Sequence, residues 1–363
     1  MKKLFVVLIS VSLSANFLTI SAGAQQKDPY MTRNFPASSI REVEATTSGG
    51  SLTVSGDAGS QAVVEVFVTR DKWSAEEIKK VLEENYTIEI NVANGKLFVE
   101  AKSKSRINWD RQGLSISFKI SVPKQVSSNL KTSGGSISIS HLSGSQDFTT
   151  SGGSLRIENV SGKIVGKTSG GSINIQNSDD NIDLQTSGGS ITADNCKGKM
   201  NLKTSGGTIS MSTLSGEIKA STSGGGLNMS HLTGAIEANT SGGSVKANHI
   251  NGDLKTGTSG GSVNLDAVSG SVEAKTSGGS MNVTLDSVKD YVKLSCSGGT
   301  LSLTIPAGKG YNLNVRADNN LDTSGLSGFK GDITNSGKNM QGTVENGGPA
   351  IEVRGQRVKL TFK

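Results

Sequence analysis

Aromatic residues are scarce: they make up 4% of the 363 positions, and the repeated middle of the chain holds almost none, Phe148 being the exception. Rows of stacking platforms for sugars or bases are thereby excluded from that part. No block of like charge occurs. The formal net charge of +6 comes from interspersed signs, so nothing in it calls for nucleic acid. The nearest thing to a basic patch with an aromatic, Lys102 to Arg111 (KSKSRINWDR), reads as a solvated loop. Beyond the N-terminal segment no stretch is apolar enough to span a bilayer as a helix, so the mature chain is expected to be soluble or peripherally held. Only 33% of residues are hydrophobic. So low a fraction accompanies disorder unless the apolar positions are strictly periodic.

What stands at the front is a leader. Met-Lys-Lys is followed by LFVVLISVSLSANFLTI and then SAGAQQ. A basic start, an apolar run and a small-x-small end made by Ala22 and Ala24 describe a secretory signal peptide cut after Ala24. Ser10, Ser12, Ser14 and Asn16 interrupt the run, which falls short of the roughly 20 residues of a span. The chain is expected to be exported, to the periplasm, the outer surface or the medium. No cysteine lies near the cut, so a lipid anchor is not expected.

The apolar positions are indeed periodic. The serine of Ser-Gly-Gly recurs at Ser133, Ser151, Ser169, Ser187, Ser205, Ser223, Ser241, Ser259 and Ser277, an unbroken step of 18; Ser297 follows after 20, and Ser48 stands alone upstream. A fixed period of this length marks a repeat architecture. In the unit Ser205–Thr222, Ile209 and Met211 alternate with polar residues, as do Ile218 and Ala220, which predicts two strands of about five residues. Gly206-Gly207 and Gly216 lie between them, where positive φ is expected at tight corners. An open meander would leave a long apolar face wet, and a membrane barrel needs strands of about 9–11 residues. An all-β solenoid, with 18-residue two-strand coils stacked about 4.8 Å apart, buries every apolar position. One outward column reads Lys219, Glu237, Lys255, Glu273, the alternation of sign that in-register stacking favours.

An uncapped solenoid would polymerise, so its ends must differ. SAEEIKKVLEENY predicts a helix over 75–85, with Ser74 and Glu77 in capping-box spacing. YTIEINVANGKLFVEAK predicts a hairpin turning at Asn94-Gly95, and LSISFKISVP a further strand. Residues 25–130 are read as coils with a capping insertion, 131–290 as regular coils, and 291–363 as the C-terminal coils and cap, where AIEVRGQRVKLTF supplies the final strands.

A signal peptide, a helix-bearing N-terminal segment, SVPK leading into LKTSGGSISIS, and many TSGGSIxI…LSGxIxAKT units together resemble a bacterial exported β-strand-repeat family of unknown function whose members are often labelled adhesins. The likeness extends over 25–363. It implies a right-handed-type β-solenoid of the cell envelope and carries no catalytic residues to transfer.

Each chemical candidate has a structural competitor. His141, His231 and His249 share one repeat position, and the last two belong to adjacent coils, about 5 Å apart, close enough to share a metal. The same column holds Asn159, Asn177 and Asn195, which favours a bend residue instead. Cys196 and Cys296 invite a disulfide, but their columns place them over five coils apart, so two buried free thiols are expected. A threonine column runs from Thr132 through Thr150, Thr168 and onward to Thr276; facing out it would suit ice or glycan binding, but the alternation places it inside. Asp179, Asp180 and Asp183 cluster where one corner loses its glycine, the best place for a carbohydrate-active site, though a solvated turn explains them. Trp73, Trp109, Tyr86 and Phe98 all sit in the N-terminal insertion, the first place to look for a specific ligand. The balance favours a non-enzymatic envelope scaffold or adhesin working through polar repeat faces. Its expected partner is a glycan or an envelope or surface protein; no cofactor, metal or nucleic acid is called for, and a monomer is expected.

Overall fold

The structure, a computed structural model, describes residues 28–104 and 113–363. The cleavage residues Ala22 and Ala24, Trp109 and most of the Lys102–Arg111 stretch lie outside the described residues. The coils up to Thr222 each contribute one short and one long strand, such as Ile173–Gln176 and Asp179–Gln185. In the next three the two merge into single strands of 14 residues, Leu227–Thr240, Val245–Thr258 and Val263–Thr276. Each strand pairs in parallel with its equivalent in the next coil: Ile173 faces Ile191, and Ile182 faces Met200. Two ladders therefore run the length of an all-β solenoid. Alternate side chains of both point inward, and Ile173, Ile175, Ile182 and Leu184 are buried in one core that continues from Ile40 to Phe362.

The strands Ile173–Gln176 and Asp179–Gln185 are of four and seven residues, not two of about five. The two glycine positions of a coil do different jobs, which is why the halves are unequal. The Gly216 column adopts positive φ (Gly162 101°, Gly198 107°, Gly216 126°) and lies inside the long strand, kinking it without ending it. The Ser-Gly-Gly glycines do not adopt positive φ. Their requirement is steric: a Cβ on Gly189 would sit 2.1 Å from the carbonyl oxygen of Gly171 in the preceding coil. The first glycine is less confined, since a Cβ on Gly188 would have 3.6 Å to its nearest neighbour.

The solitary Ser48-Gly49-Gly50 belongs to the array in space. The strands Glu42–Thr46 and Leu52–Ser55 form a coil that stacks directly against Ser127–Lys131 and Ile137–Ser140. The segment between them loops out as the cap. Its strands Lys96–Ser103 and Ser115–Ser121 continue the parallel ladders by one step. Pairing then turns antiparallel, through Tyr86–Ala93 on one side and Gln61–Thr69 followed by Met31–Pro36 on the other. The helix Ala75–Asn85 starts at the expected capping box, in which Ser74 and Glu77 each accept a hydrogen bond from the other's backbone N–H. The hairpin turns at Asn94-Gly95, both at positive φ.

The C-terminal end holds a rearrangement that reading in chain order does not anticipate. Ala350–Phe362 is last in sequence but not in space: it lies in parallel between Met281–Ile305 and Tyr311–Ser324. The hairpin Phe329–Thr334 and Asn339–Val344 then closes on Tyr311–Arg316 in antiparallel fashion. The pairing sense thus changes at both ends, on both ladders at the N-terminal end and on the Tyr311–Arg316 ladder at the C-terminal end, where it covers the parallel edge.

The steric account of the corner gives a direct comparison. Gly189→Ala should destabilise the chain by at least ~1–3 kcal/mol, because the clash is with backbone that cannot rotate away. Gly188→Ala should stay within about 0.5 kcal/mol of the parent. Equal thermal midpoints for the two variants would show that corner contact is not what selects glycine.

Candidate functional site

The threonine column points inward. Thr150, Thr168, Thr186, Thr204, Thr222, Thr240, Thr258 and Thr276 are all buried. Each hydroxyl donates to the carbonyl of the second glycine one coil back, as from Thr204 Oγ1 to Gly189 O at 2.8 Å. It also accepts, weakly, from the second glycine of its own corner, Gly207 N to Thr204 Oγ1 at 3.3 Å. Thr132 makes the same bond to Gly50, far back along the chain. These threonines are staples between coils and form no outward face. Cys296 occupies the column's last place, and its thiol reaches the Gly279 carbonyl in the threonine manner. Cys196 fills a core column shared with Leu214 and Leu232, and burial pushes its pKa up to about 11. Both cysteines are free and buried.

The histidine column is a left-handed bend: His141, Asn159, Asn177, Asn195, His231 and His249 all adopt φ between 49° and 56°. Asn and His are both enriched in this region, and Thr213 and Ala267 take the same conformation at φ 55° and 51°, so the bend is set by the coil and not by one side chain. His231 and His249 stack as parallel rings with centroids 4.9 Å apart. Their Nδ1 atoms are engaged by the neighbouring Ser230 and Asn248. Among the described residues no group of three metal-ligating side chains converges. At the glycine-less corner, Asp180 takes φ 83°, and its carboxylate accepts from Gly162 N at 2.9 Å. Asp183 accepts from Asn201 Nδ2 at 2.6 Å. Two of the three carboxylates are thus committed to holding neighbouring coils in register.

The outward surfaces are where ligands could bind. The short-strand face carries Thr192, Ser210, Asn228, Lys246 and Asn264 in one column, along a shallow groove of about 540 Å³. The long-strand face carries the charge column. The predicted alternation of Lys219, Glu237, Lys255 and Glu273 is in register, and it runs on through Lys293 to Glu352, across the point where chain order and spatial order part. Lys255 pairs with Glu273 at 3.5 Å, and Lys199 and Lys219 both pair with Glu217, lowering its pKa.

One outward-facing residue was not legible in the pattern. The single overlong coil of the array places its extra length opposite Ser271, where the register slips between Gly270 and Val272. Lys289, Asp290 and Tyr291 are the residues pushed out there. Lys289 bridges Asp253 and Asp290, both at 3.6 Å. Tyr291 stands 42% exposed, and among the described residues the other exposed large apolar side chains are only Tyr30 and Ile333. Its ring borders a groove of about 300 Å³ with Glu217, Lys219, Glu237, Asp253 and Lys255 on one side, and one of about 270 Å³ with Glu273, Lys293 and Glu352 on the other. The broken spacing before Ser297 was the available signal.

The N-terminal aromatics serve the cap instead. Tyr86 is buried, and its hydroxyl accepts from Leu114 N at 2.9 Å. Trp73 packs on the core with the Arg70 guanidinium 5.5 Å above its ring. No helix among the described residues is long and apolar enough to cross a membrane.

No family model matches the chain, and no curated protein does. Two solved structures are similar over much of their length. One is of a putative cell adhesion protein from Clostridium sporogenes ATCC 15579, 10% identical, covering 92% of this chain and 97% of its own, with a TM-score of 0.19. The other is of a putative adhesin from Bacteroides fragilis NCTC 9343, 15% identical, covering 76% and 96%, with a TM-score of 0.23. Superpositions this loose carry no argument about what the chain does.

Burial of the two thiols has a chemical readout. Ellman's reagent should leave both cysteines of the folded protein unmodified and modify both in guanidinium, because burial keeps the reagent from either sulfur. Rapid modification of either cysteine in the native protein would contradict its place in the core.

Proposed function

We propose that the chain is a non-enzymatic, exported β-solenoid that works at the cell envelope, as a scaffold or an adhesin, through its polar repeat faces. The observation that carries this reading is the pair of long outward surfaces. Each is built from columns of Ser, Thr, Asn, Lys, Asp and Glu repeated at the strand spacing, so many weak polar contacts can be made at once. The signal-like leader supports export. A catalytic use of the Asp179–Asp183 corner gains no support, since Asp180 and Asp183 already tie neighbouring coils together. A Thr-based ice- or surface-binding face gains none either, because that column is buried.

The test is accessibility in the producing cell. The mature protein should begin at Gln25, and protease or antibody should reach it on intact cells. Protection until lysis would sink the adhesin arm and leave the envelope scaffold. Recovery of an uncleaved chain from the cytosol would sink both.

A further inference from the structure

The charges of the solenoid obey a rule with one exception. In the parallel ladders a charged residue faces a neutral or oppositely charged neighbour: Asp179 faces Lys197, Lys199 faces Glu217, Lys219 faces Glu237, Lys255 faces Glu273, Asp322 faces Lys359. Among the parallel pairs of the described residues, only Arg316 and Arg354 set like charges opposite each other. Their strands are about 4.8 Å apart, and like charges so placed are destabilising. The ion pairs of this region engage Lys255, Lys275, Lys289, Glu273, Asp253 and Asp290, leaving both guanidiniums without one among the described residues. The two arginines border a cavity of about 330 Å³ with Lys293, Ser295, Asn314 and Glu352. That cavity shares Lys293 and Glu352 with the groove beside Tyr291, so the ring and the arginine pair lie on one continuous track along the long-strand face.

We infer that this track is a binding site for an acidic saccharide, with Tyr291 stacking on a sugar ring and Arg316 and Arg354 jointly receiving a carboxylate or sulfate substituent. The inference rests on the reading of the polar faces as binding surfaces and gives one of them a ligand class. Each element meets a different part of such a ligand. Paired guanidiniums suit a planar or tetrahedral oxyanion, which they grip bidentately. An exposed aromatic ring held on a bulge covers the apolar face of a sugar. Glu352, on the strand that lies between those of Tyr291 and Arg316, accepts from hydroxyl groups. The same carboxylate opposes a nucleic acid, whose closely spaced phosphates would meet Glu352 beside the cations. From the Tyr291 strand to the Arg316 strand is two steps, about 10 Å, so ring and acid contacts fall on separate units of one oligosaccharide.

Isothermal titration of the full mature chain tests this, with an oligogalacturonate, a heparin-derived oligosaccharide, an uncharged cello-oligosaccharide and an oligoglutamate as probes. One or both acidic sugars should bind, more weakly as salt rises, and which of them binds separates carboxylate from sulfate recognition. The double variant R316Q/R354Q should weaken that binding by about tenfold or more, and Tyr291→Ala by about fivefold or more. Without ligand, the double variant should unfold at the parent's temperature or above, because a repulsion has been removed. Equal binding of the uncharged sugar or of oligoglutamate would overturn the inference, as would acidic-sugar binding that survives both variants. Surface accessibility with no binding of either acidic sugar would overturn the inference and leave the adhesin reading standing. Binding by a chain found only in the cytosol would do the reverse.

Discussion

Every feature of this molecule answers to one constraint: the backbone of each coil hydrogen-bonds in parallel register to the coil before it. That spacing of about 4.8 Å leaves no freedom to place a residue without regard to its predecessor. A side chain that protrudes toward the next coil meets main chain, which is why the second corner glycine admits no Cβ. A polar group turned inward must find its partner one coil away, and the buried threonines do so with the same bond each time. Charges stack on charges, so sign must alternate or be diluted. Low hydrophobicity is no obstacle, because nearly every apolar residue in the repeats is at a buried position.

The constraint also explains which parts of the fold could be read from the chain. The solenoid, its period and the inward threonines follow from residues one period apart, and such relations are visible in a linear string. Cys296 could be placed because it stands where Thr222 and Thr258 stand in their coils. What stayed hidden are contacts that skip the period. Reading 25–130 as coils with a capping insertion allowed for Ser48-Gly49-Gly50, but not for which coil it stacks on, which the bond from Thr132 to Gly50 identifies. The exchange of order among 281–305, 350–362 and 311–324 leaves no periodic trace. Corner chemistry was half legible: glycine marks both bends, but positive φ accounts for only one of them.

The candidate site follows the same division. Its charge column was visible because it repeats. Tyr291 and the facing arginines were not, because each arises where the repeat is interrupted, by an overlong coil in one case and by the inserted last strand in the other. In a structure whose regular parts are all explained by stacking, departures from the pattern are where selection for something other than stacking becomes visible.

The inserted strand has a consequence for how the chain matures. Coils from 127 to 305 can pair in the order in which they emerge, each with the coil just before it, a short loop to close. The last strand, Ala350–Phe362, must instead enter between one strand ending at Ile305 and another beginning at Tyr311. Until residues 350–362 have been synthesised, that slot lacks its native strand and the Tyr291–Cys296 edge lacks its native mate. Removal of residues 350–362 would leave both neighbouring strands without the partner they share.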